Sequence, residues 1–509
     1  MKKGQLISLA KEKKYSVKNI KRLEHAIEFA GKAHRGQARK TGESYVTHPL
    51  TVASYLIDWG LDIDSIIAGV LHDTVEDTDV NLADVEKEFG HEVAAMVDGV
   101  TKLGELRSGM NSIDTYLPQT KDNLTKLLIA TGQDVRVIII KLADRLHNLR
   151  TLNAQPKDKQ RKIALESLQV FAPLADRLNM GRVRVEIEEI SFSYINPGRF
   201  NYLRKQIKNR LGRASKKLDH VRAEVGKILQ EHKIKFEMDG RVKSVYSLEK
   251  KLKKHGQNID EIYDIIALRI IVKDQATCYQ VLGLIHSLYK PMLERIKDYI
   301  AMPKVNGYQS LHTTVMTPDE QVVEFQIRTQ QMHEYAERGL AASFHYNDQK
   351  VTEAYNTGQL APMPTNLGWV KDLQTAAAKL RKGEKVDTRK LQVQLFADRI
   401  FVYSPKGDIY DLPKGSLPLD YAYRVHSDLA KHAQSFKVNG RIVKAKAPLK
   451  TGDIVEVIIS KKTKPSIGWF ERIFTPHAKN KLRQQLRQDN TELPKVPPNT
   501  PGAAKPKKK

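Results

Sequence analysis

The feature that most restricts the fold is a long stretch of helical periodicity in the first part of the chain. From about residue 20 to about residue 190, apolar residues recur at the spacing of amphipathic helices, and Gly and Asn-Pro are confined to short breaks. The sequence Asn196-Pro197-Gly198 then ends this block. The periodicity therefore predicts an all-helical domain over residues 1–195.

Beyond this break the pattern changes several times. Residues 199–232 stay helical but strongly basic, which favours a solvated connector over a direct RNA contact. Segments 264–272 and 322–328 are typical of strands separated by a helix, and they predict an α+β domain. The chain is divided into the helical domain 1–195, the α+β domain 196–345 with its connector 199–232, a helical linker 346–392, a small β module 393–460, and a basic tail 461–509 that is disordered from about residue 490.

Composition excludes several classes of protein. The formal net charge of +26 indicates polyanionic partners such as nucleotides or RNA. The single cysteine, Cys278, excludes an intrachain disulfide and a cysteine-built zinc site, and it is interpreted as a small core residue. No apolar run approaches the roughly 20 residues that span a bilayer, so a cytoplasmic protein without membrane contact is expected.

Side chains suited to one divalent cation occur in three separate segments of the helical domain. Imidazoles mixed with carboxylates fit Mn²⁺ or another first-row ion better than a structural zinc. On a continuous helix, Glu76 and Asp77 would lie one turn after His72 and Asp73, where they could position and deprotonate an attacking water. The alternative is a satisfied polar pair in a helix core with a separate surface ion pair, and the number of separated ligands favours the metal site. The predicted ligands are His48, His72, Asp73 and Asp144.

The α+β domain has the chemistry of a triphosphate site. Asp264 begins one predicted strand and Glu324 lies on the other, and carboxylates from neighbouring strands suit Mg²⁺, which takes few protein ligands. Tyr308 follows an Asn-Gly turn that could present its ring to a base. Each feature alone is more often a solvated turn or ordinary packing, and only their conjunction is informative. The candidate phosphate-binding cations are Arg241, Lys243, Lys297 and Lys304.

The segments HRGQARKTGESYVTHP, HDTVEDT, FGHEVAAMVDGVTKL and KLADRLHNLRTL closely resemble the HD hydrolase domain of RelA/SpoT homologues, the enzymes of the alarmone (p)ppGpp. The resemblance implies that the four predicted ligands hold Mn²⁺. It also implies that Glu76 and Asp77 activate the water that removes the 3′-pyrophosphate. The residues expected to contact the nucleotide are Arg39, Asn148 and Thr151.

The segments RIKDYIAMPKVNGYQSLHTT and EFQIRTQQMHEYAERGLAA strongly resemble the synthetase domain of the same family, which has a nucleotidyltransferase-like fold. The resemblance implies pyrophosphate transfer from ATP to GDP or GTP, with Asp264 and Glu324 on Mg²⁺ and Glu324 helping to activate the acceptor hydroxyl. Tyr308 would stack on guanine and His312 would contact the phosphates of the acceptor. The basic motif Arg295-Ile296-Lys297-Asp298 accompanies bifunctional members. The residues expected to hold the ATP phosphates are Arg241, Lys243, Ser247 and Lys304.

Residues 393–460 resemble a TGS domain, which implies a small β-grasp fold and contact with tRNA on the ribosome, with His432 against the tRNA end. As a bare β module, its histidines would be structural. Three positions depart from the family pattern: Val242, Ser244 and Ser343. The chain also ends without the regulatory domains of long members, which puts ribosome sensing in doubt.

Together these features predict a bifunctional (p)ppGpp synthetase and hydrolase. Running both reactions at once would only consume ATP, so antagonistic coupling through the helices around residues 165–232 is expected. One alternative is a family member with a single activity. The other is a ribosome- or tRNA-binding protein without turnover, which the net charge of +26 and the TGS-like module favour.

Overall fold

The computed structural model describes residues 1–39, 42–108, 134–254, 266–304, 306–318, 322–339, 341, 399–450, 452–460 and 462–488. These residues belong to two compact units, one within residues 1–391 and the other within residues 392–509. The first unit contains the helical domain and the α+β domain. The predicted linker 346–392, the tail from 490, Asp264 and Ser343 lie outside the described residues.

Twelve described helices precede the first strand. A 3₁₀ turn, Leu152–Ala154, follows the eighth of them, and a π-helical segment, Ser167–Phe171, joins the ninth to the tenth. The helices are α1 (Lys3–Glu12), α2 (Val17–Ala33), α3 (Thr47–Trp59), α4 (Ile63–Leu71), α5 (Thr74–Asp77), α6 (Leu82–Phe89), α7 (His91–Ser108), α8 (Val135–Arg150), α9 (Lys157–Glu166), α10 (Ala172–Arg177), α11 (Gly181–Ile195) and α12 (Pro197–Glu231).

Helix α4 forms the centre of the helical domain. All of its residues except Asp64 are buried, and it packs against α2, α3 and α7. Asp62 begins the helix by accepting a hydrogen bond from the main-chain N–H of Ser65 at 2.9 Å. The helix ends at Leu71, directly before His72 and Asp73, so the core packing of α4 fixes the position of these two predicted ligands.

The α+β domain is built on a six-stranded mixed sheet. The strands are β1 (Phe236–Val242), β2 (Ile266–Val272), β3 (Lys290–Pro291), β4 (Lys297–Asp298), β5 (Leu311–Met316) and β6 (Val322–Thr329). Their order is β1-β2-β6-β5-β3, and β4 pairs with β5 beside β3. Only the β2–β6 pair among them is parallel. The two predicted strands therefore become adjacent central strands, and they bring Glu324 opposite Ala267.

Three further described helices belong to this domain: α13 (Val245–Lys254), α14 (Gln275–Leu288) and α15 (Gln330–Arg338). Helix α14 packs on β5 and β6, and the basic helix α12 packs on α13 and α14. Cys278 is fully buried in the core between α14 and the sheet, and burial raises the pKa of its thiol to about 12. This agrees with the prediction of a core residue, since a protonated thiol is a poor nucleophile.

The described part of the second unit has two small sheets and three helices. Strands β7 (Arg399–Tyr403) and β8 (Ile409–Pro413) form the predicted hairpin around Ser404–Asp408. The other sheet consists of β9 (Ala433–Val438), β10 (Arg441–Val443) and β11 (Val455–Ile459), in the order β10-β9-β11. The remaining elements are α16 (Pro418–Val425), α17 (Ser427–Lys431), the 3₁₀ segment Ile467–Arg472 and α18 (Pro476–Gln488).

This unit continues past residue 460, where the sequence pattern placed the end of the β module. Leu482 and Leu486 of α18 are fully buried in the same core as Phe436 of β9. The carboxylate of Asp420 accepts hydrogen bonds from the main-chain N–H groups of Phe474 and Thr475, which fixes the entry to α18. The first part of the predicted basic tail is therefore an integral part of the fold. None of the described helices is both long and apolar enough to cross a membrane.

Candidate metal and nucleotide sites

The four predicted metal ligands of the helical domain converge in the structure. His48 is in the first turn of α3, His72 and Asp73 directly follow α4, and Asp144 is in α8. His48 Nε2 lies 3.4 Å from Asp73 Oδ2 and 3.3 Å from Asp144 Oδ1. His72 Nε2 lies 3.0 Å from Asp73 Oδ1 and 4.0 Å from Asp144 Oδ1. Ligand atoms of His48, His72 and Asp144 all lie within 4.8 Å of one another.

The arrangement of hydrogen bonds fits a bound cation. His72 Nδ1 donates to the main-chain carbonyl of Gly69 at 2.8 Å, so a neutral His72 presents the lone pair of Nε2. That atom is buried and makes no hydrogen bond to any described residue, although Asp73 lies close to it. Lone pairs of imidazole and carboxylate that face one another repel unless a metal cation, or in its absence a proton, lies between them. Burial opposes protonation of His72, but without a metal Asp73 and Asp144 raise the pKa of His72. This donor set therefore fits a divalent metal ion.

The surroundings keep both aspartates ionised. Burial alone would raise the pKa of Asp73, but without a metal the positive charge of the His72 imidazolium and hydrogen bonds from His72 and His48 outweigh it and hold that pKa well below its usual range. Burial also opposes ionisation of Asp144, and here Lys141 and His48 lower the pKa. Lys141 Nζ lies 2.8 Å from Asp144 Oδ2, which leaves the other oxygen of Asp144 toward the histidines.

The expected continuous helix through His72-Asp73-Thr74-Val75-Glu76-Asp77 is wrong. Helix α4 ends at Leu71, and α5 is a separate single turn. Asp73 has φ −100° and ψ −6°, which bends the chain between the two helices. The main-chain N–H of Asp77 still donates to the carbonyl of Asp73 at 2.9 Å, so these two carboxylates remain one turn apart. Glu76 is exposed, and partial burial of its carboxyl raises its pKa despite Lys141.

Tyr45, which the sequence analysis did not select, joins the two carboxylates. Its hydroxyl lies 2.9 Å from Asp73 Oδ2 and 2.5 Å from Asp77 Oδ2. Its ring stacks on His34 at a centroid distance of 4.7 Å. Gln37 from the same segment donates to the main-chain carbonyl of Asp77 at 2.8 Å. The segment between α2 and α3 therefore positions Asp77 beside the metal cluster.

A cavity of about 340 Å³ opens next to this cluster, and the three predicted nucleotide contacts Arg39, Asn148 and Thr151 all line it. Arg145, a fully buried residue, also lines it. Its guanidinium lies 3.0 Å from Glu166 Oε2 and 4.2 Å from the centroid of the Phe171 ring. Because Arg145 is paired with Glu166, Arg39 is the guanidinium that could contact an anionic ligand in this cavity.

His147 is a further residue that the sequence analysis missed. It lies three residues after Asp144 on α8, and its Nδ1 is 2.8 Å from His48 Nδ1 and 3.1 Å from Arg39 Nη1. Burial, with smaller contributions from His48 and Arg39, lowers the pKa of His147 to about 3. Its position in the sequence, three residues after the predicted ligand Asp144, could have indicated that His147 lies near the metal site, because residues three apart on a helix share a face.

In the α+β domain, a row of hydrogen bonds crosses the sheet. Arg241 Nη1 donates to Gln326 Oε1 at 3.3 Å, and Gln326 Nε2 donates to Glu324 Oε1 at 3.2 Å. His312 Nδ1 lies 3.1 Å from the same oxygen of Glu324, and His312 Nε2 lies 2.9 Å from the Tyr308 hydroxyl. Burial lowers the pKa of His312, although Glu324 opposes this. Four predicted residues thus form one row, in which Gln326 joins Arg241 to Glu324; the sequence analysis did not single out Gln326.

The two predicted lysines lie near the His312 and Tyr308 end of this row of hydrogen bonds. Lys297 pairs with His312 across strands β4 and β5. Lys304 Nζ lies 4.8 Å from the Tyr308 ring centroid and 4.6 Å from that of Tyr299. The ammonium covers one face of the Tyr308 ring, so a stacked base would use the other face or displace Lys304.

The remaining predicted residues follow β1. Ser247 is in the first turn of α13, where its main-chain N–H donates to Ser244 Oγ at 3.2 Å and its Oγ lies 2.8 Å from that oxygen. Ser244, one of the departures from the family pattern, therefore caps α13. Lys243 precedes this helix and is partly buried. The proposed pairing of Asp264 with Glu324 on Mg²⁺ is not tested, because Asp264 lies outside the described residues.

Three family models match the chain, in the same order along it as the three predicted domains. An HD domain model matches residues 26–181, a model of the region found in RelA / SpoT proteins matches residues 240–351, and a TGS domain model matches residues 400–459. All four predicted metal ligands lie within the first match, and the row from Arg241 to Gln326 lies within the second. The chain belongs to the RelA/SpoT family.

Similar RelA/SpoT proteins cover most of the chain. It is 41% identical to the GTP pyrophosphokinase of Myxococcus xanthus over 470 residues, which are 92% of this chain and 61% of that protein. It is 39% identical over 475 residues to the guanosine-3′,5′-bis(diphosphate) 3′-pyrophosphohydrolase of Aquifex aeolicus, covering 92% of this chain and 65% of that protein. It is also 39% identical over 468 residues to the bifunctional (p)ppGpp synthase/hydrolase SpoT of Escherichia coli K12, with the same 92% and 65% coverage.

Membership in the RelA/SpoT family confirms the predicted fold class. The all-α HD domain, the α+β nucleotidyltransferase-like domain and the small β-grasp TGS domain follow one another along the chain. The chain spans 61 to 65% of the length of the three relatives. The roles of individual residues remain predictions.

Proposed function

We propose that this chain both makes and destroys (p)ppGpp. In one direction it transfers pyrophosphate from ATP to the 3′-hydroxyl of GDP or GTP and releases AMP. In the other it hydrolyses the 3′-pyrophosphate of (p)ppGpp to give GDP or GTP and pyrophosphate. The observation that carries the proposal is the presence, in one compact unit, of both the converging metal ligands and the row from Arg241 to His312.

For hydrolysis, His48, His72, Asp73 and Asp144 would hold Mn²⁺, which supplies positive charge for the pyrophosphate and makes a water more acidic. Asp77, positioned by Tyr45, and the nearby Glu76 would accept the proton of the attacking water. Arg39, Asn148 and Thr151 would bind the nucleotide in the adjoining cavity. The choice of Mn²⁺ is supported by the mixed nitrogen and oxygen donors.

For synthesis, Asp264 and Glu324 would hold Mg²⁺, which neutralises phosphate charge. Glu324 would also accept the proton of the acceptor hydroxyl, and His312 would contact the acceptor phosphates and keep Glu324 oriented. Tyr308 would stack on guanine. The ATP phosphates would be held by Arg241, Lys243, Ser247, Lys297 and Lys304. Catalysis here is positioning and charge neutralisation, since phosphoryl transfer requires little covalent chemistry from the protein.

A cytoplasmic location is part of the proposal, because the proposed substrates are ATP and guanine nucleotides. The second unit is proposed to contact tRNA or the ribosome, on the basis of its match to a TGS domain model. His432, expected against the tRNA end, has a buried Nδ1 without a hydrogen-bond partner among the described residues. RNA binding that weakens steeply with salt would support this role.

Two isosteric substitutions test the bifunctional proposal. Asp73→Asn removes a metal-ligand charge, and Glu324→Gln removes the carboxylate beside His312. Each should abolish one reaction and spare the other, as measured by separation of nucleotides on an anion-exchange column. If wild-type protein carries out only one of the two reactions, and only one of the two variants loses that reaction, the chain is a single-activity enzyme. RNA binding without any turnover would indicate the non-catalytic alternative.

A further inference from the structure

A hydrogen-bond network connects two of the proposed metal ligands past the nucleotide cavity. It runs from His48 Nδ1 to His147 Nδ1 at 2.8 Å, and from there to Arg39 Nη1 at 3.1 Å. Arg39 Nη2 donates to Asn148 Oδ1 at 3.2 Å, and Asn148 Nδ2 donates to Asp144 Oδ1 at 2.5 Å. The two ends of this hydrogen-bond network are thus proposed metal ligands, and two of the residues between them, Arg39 and Asn148, line the cavity.

The donors of this hydrogen-bond network determine which ring nitrogen of His147 carries the hydrogen. A guanidinium only donates hydrogen bonds, so His147 Nδ1 must accept from Arg39 and cannot carry a hydrogen. The same lone pair then accepts from His48, whose Nδ1 must carry the hydrogen. A neutral His48, the form that can bind a metal, therefore presents the lone pair of Nε2 toward Asp73 and Asp144. Nε2 is the atom through which His48 would bind a metal.

We infer that His147 is a positioning residue that orients the metal ligand His48 and holds Arg39 at the nucleotide cavity. Metal-binding histidines commonly donate their second ring N–H to an acceptor that fixes the tautomer and orientation of the ring. Here the acceptor is a second imidazole, and it serves a nucleotide-binding guanidinium as well. The inference rests on the proposed hydrolase function for the role of Arg39, but not for the orientation of His48.

His147→Asn and His147→Gln separate the positioning role from general packing. An asparagine amide can place an acceptor near the position of Nδ1, whereas a glutamine amide reaches the region of Nε2. Mn²⁺ binding to nucleotide-free protein is measured by electron paramagnetic resonance, and KM and kcat for ppGpp are measured in saturating Mn²⁺. Wild-type protein and the exposed-site variant His91→Gln serve as controls, and circular dichroism verifies folding.

His147→Gln should weaken Mn²⁺ binding by about tenfold or more, whereas His147→Asn should retain most of the affinity. KM for ppGpp should rise more than kcat falls in His147→Gln, because Arg39 loses its acceptor. If His147→Gln misfolds, His147→Asn is compared with Arg39→Gln instead. Both variants should then retain the Mn²⁺ affinity, and only Arg39→Gln should have a raised KM for ppGpp. Wild-type Mn²⁺ affinity and KM in folded His147→Gln would overturn the inference. Wild-type protein that binds Mn²⁺ but leaves ppGpp intact would instead overturn the hydrolase proposal.

Discussion

The side-chain amide of Asn179 donates a hydrogen bond to the main-chain carbonyl of Tyr335 at 3.0 Å, and so joins the helical domain to α15 of the α+β domain. Nearby, Asn306 Nδ2 donates to the carbonyl of Asp176 at 3.1 Å. Asn306 lies two residues before Tyr308, and Asp176 is in α10, which directly follows the π-helical segment that packs Phe171 on Arg145. Contacts and short stretches of chain therefore lead from the cavity lined by Arg39 and Arg145 to the proposed guanine site.

Asn179→Gly should weaken the antagonistic coupling of the two sites. Asn179 has a φ of +54°, which glycine adopts readily, so the substitution removes the amide and keeps the backbone. In wild-type protein kept free of Mn²⁺, so that ppGpp is not hydrolysed, GDP with an ATP analogue should weaken ppGpp binding to the helical domain by a factor within the usual range of about 5 to 150. Titration calorimetry should find a smaller factor in Asn179→Gly.

Lys14→Gly is the matched control, because Lys14 also has a positive φ of +63° but lies between α1 and α2. It should leave the coupling factor unchanged. Equal ppGpp affinity with and without the synthetase ligands, in wild-type protein, would show that the two sites are independent.

Gly339→Ala should destabilise the first unit. A Cβ at Gly339 would lie 2.1 Å from the carbonyl oxygen of Leu178, and the φ of +61° disfavours any side chain. We expect a loss of about 2 kcal/mol or more in the free energy of unfolding, seen as a lower thermal midpoint. Gly31→Ala, within α2 and with no atom inside 4 Å of its Cβ, should instead stabilise by about 0.5–1 kcal/mol. Equal midpoints for the two variants would contradict the close approach at Gly339.

Tyr45→Phe should slow hydrolysis about tenfold to a hundredfold and leave synthesis unchanged. The change removes the hydroxyl beside Asp73 and Asp77 but keeps the ring that stacks on His34. Initial rates of GDP release from ppGpp provide the measurement. Tyr202→Phe, at a half-exposed tyrosine of α12, should retain the wild-type rate. A wild-type rate for Tyr45→Phe would exclude a positioning role for the hydroxyl.

Mn²⁺ should stabilise the first unit, and Asp144→Asn should remove this effect. A metal at a hundredfold excess over its Kd adds about 2.7 kcal/mol to the free energy of unfolding. The measured quantity is the difference in thermal midpoint with and without Mn²⁺, because the substitution also leaves Lys141 without its carboxylate partner. Asp274→Asn, which alters the cap of α14 and the ion pair of Asp274 with Lys273, should keep the Mn²⁺-dependent shift. An undiminished shift in Asp144→Asn would place the metal elsewhere.

Much of the fold followed from the sequence because local periodicity and tertiary packing agree. The strand at Val322–Thr329 alternates along its length, and the helix at Gln275–Leu288 has an apolar face that packs on the sheet. The break at Asp73 was missed because the sequence there contains no glycine or proline. Helix α18 was missed because a short basic segment shows little of the apolar face that buries Leu482 and Leu486.

The convergence of the proposed metal ligands could be predicted from residue type, since few structural roles require two histidines and two aspartates in separate segments. Tyr45, His147 and Gln326 could not, because each acts by orienting another side chain. A tyrosine hydroxyl or a glutamine amide has no distinctive sequence pattern, and its partner is known only once the helices and strands are packed.

The most direct test of the bifunctional account is incubation of the purified wild-type protein with ppGpp and Mn²⁺ in the absence of ATP, followed by anion-exchange separation of the nucleotides. The account predicts stoichiometric release of GDP and pyrophosphate, with no release by Asp73→Asn. Intact ppGpp, in a sample shown to bind Mn²⁺, would contradict it and would leave the helical domain without the proposed hydrolytic activity.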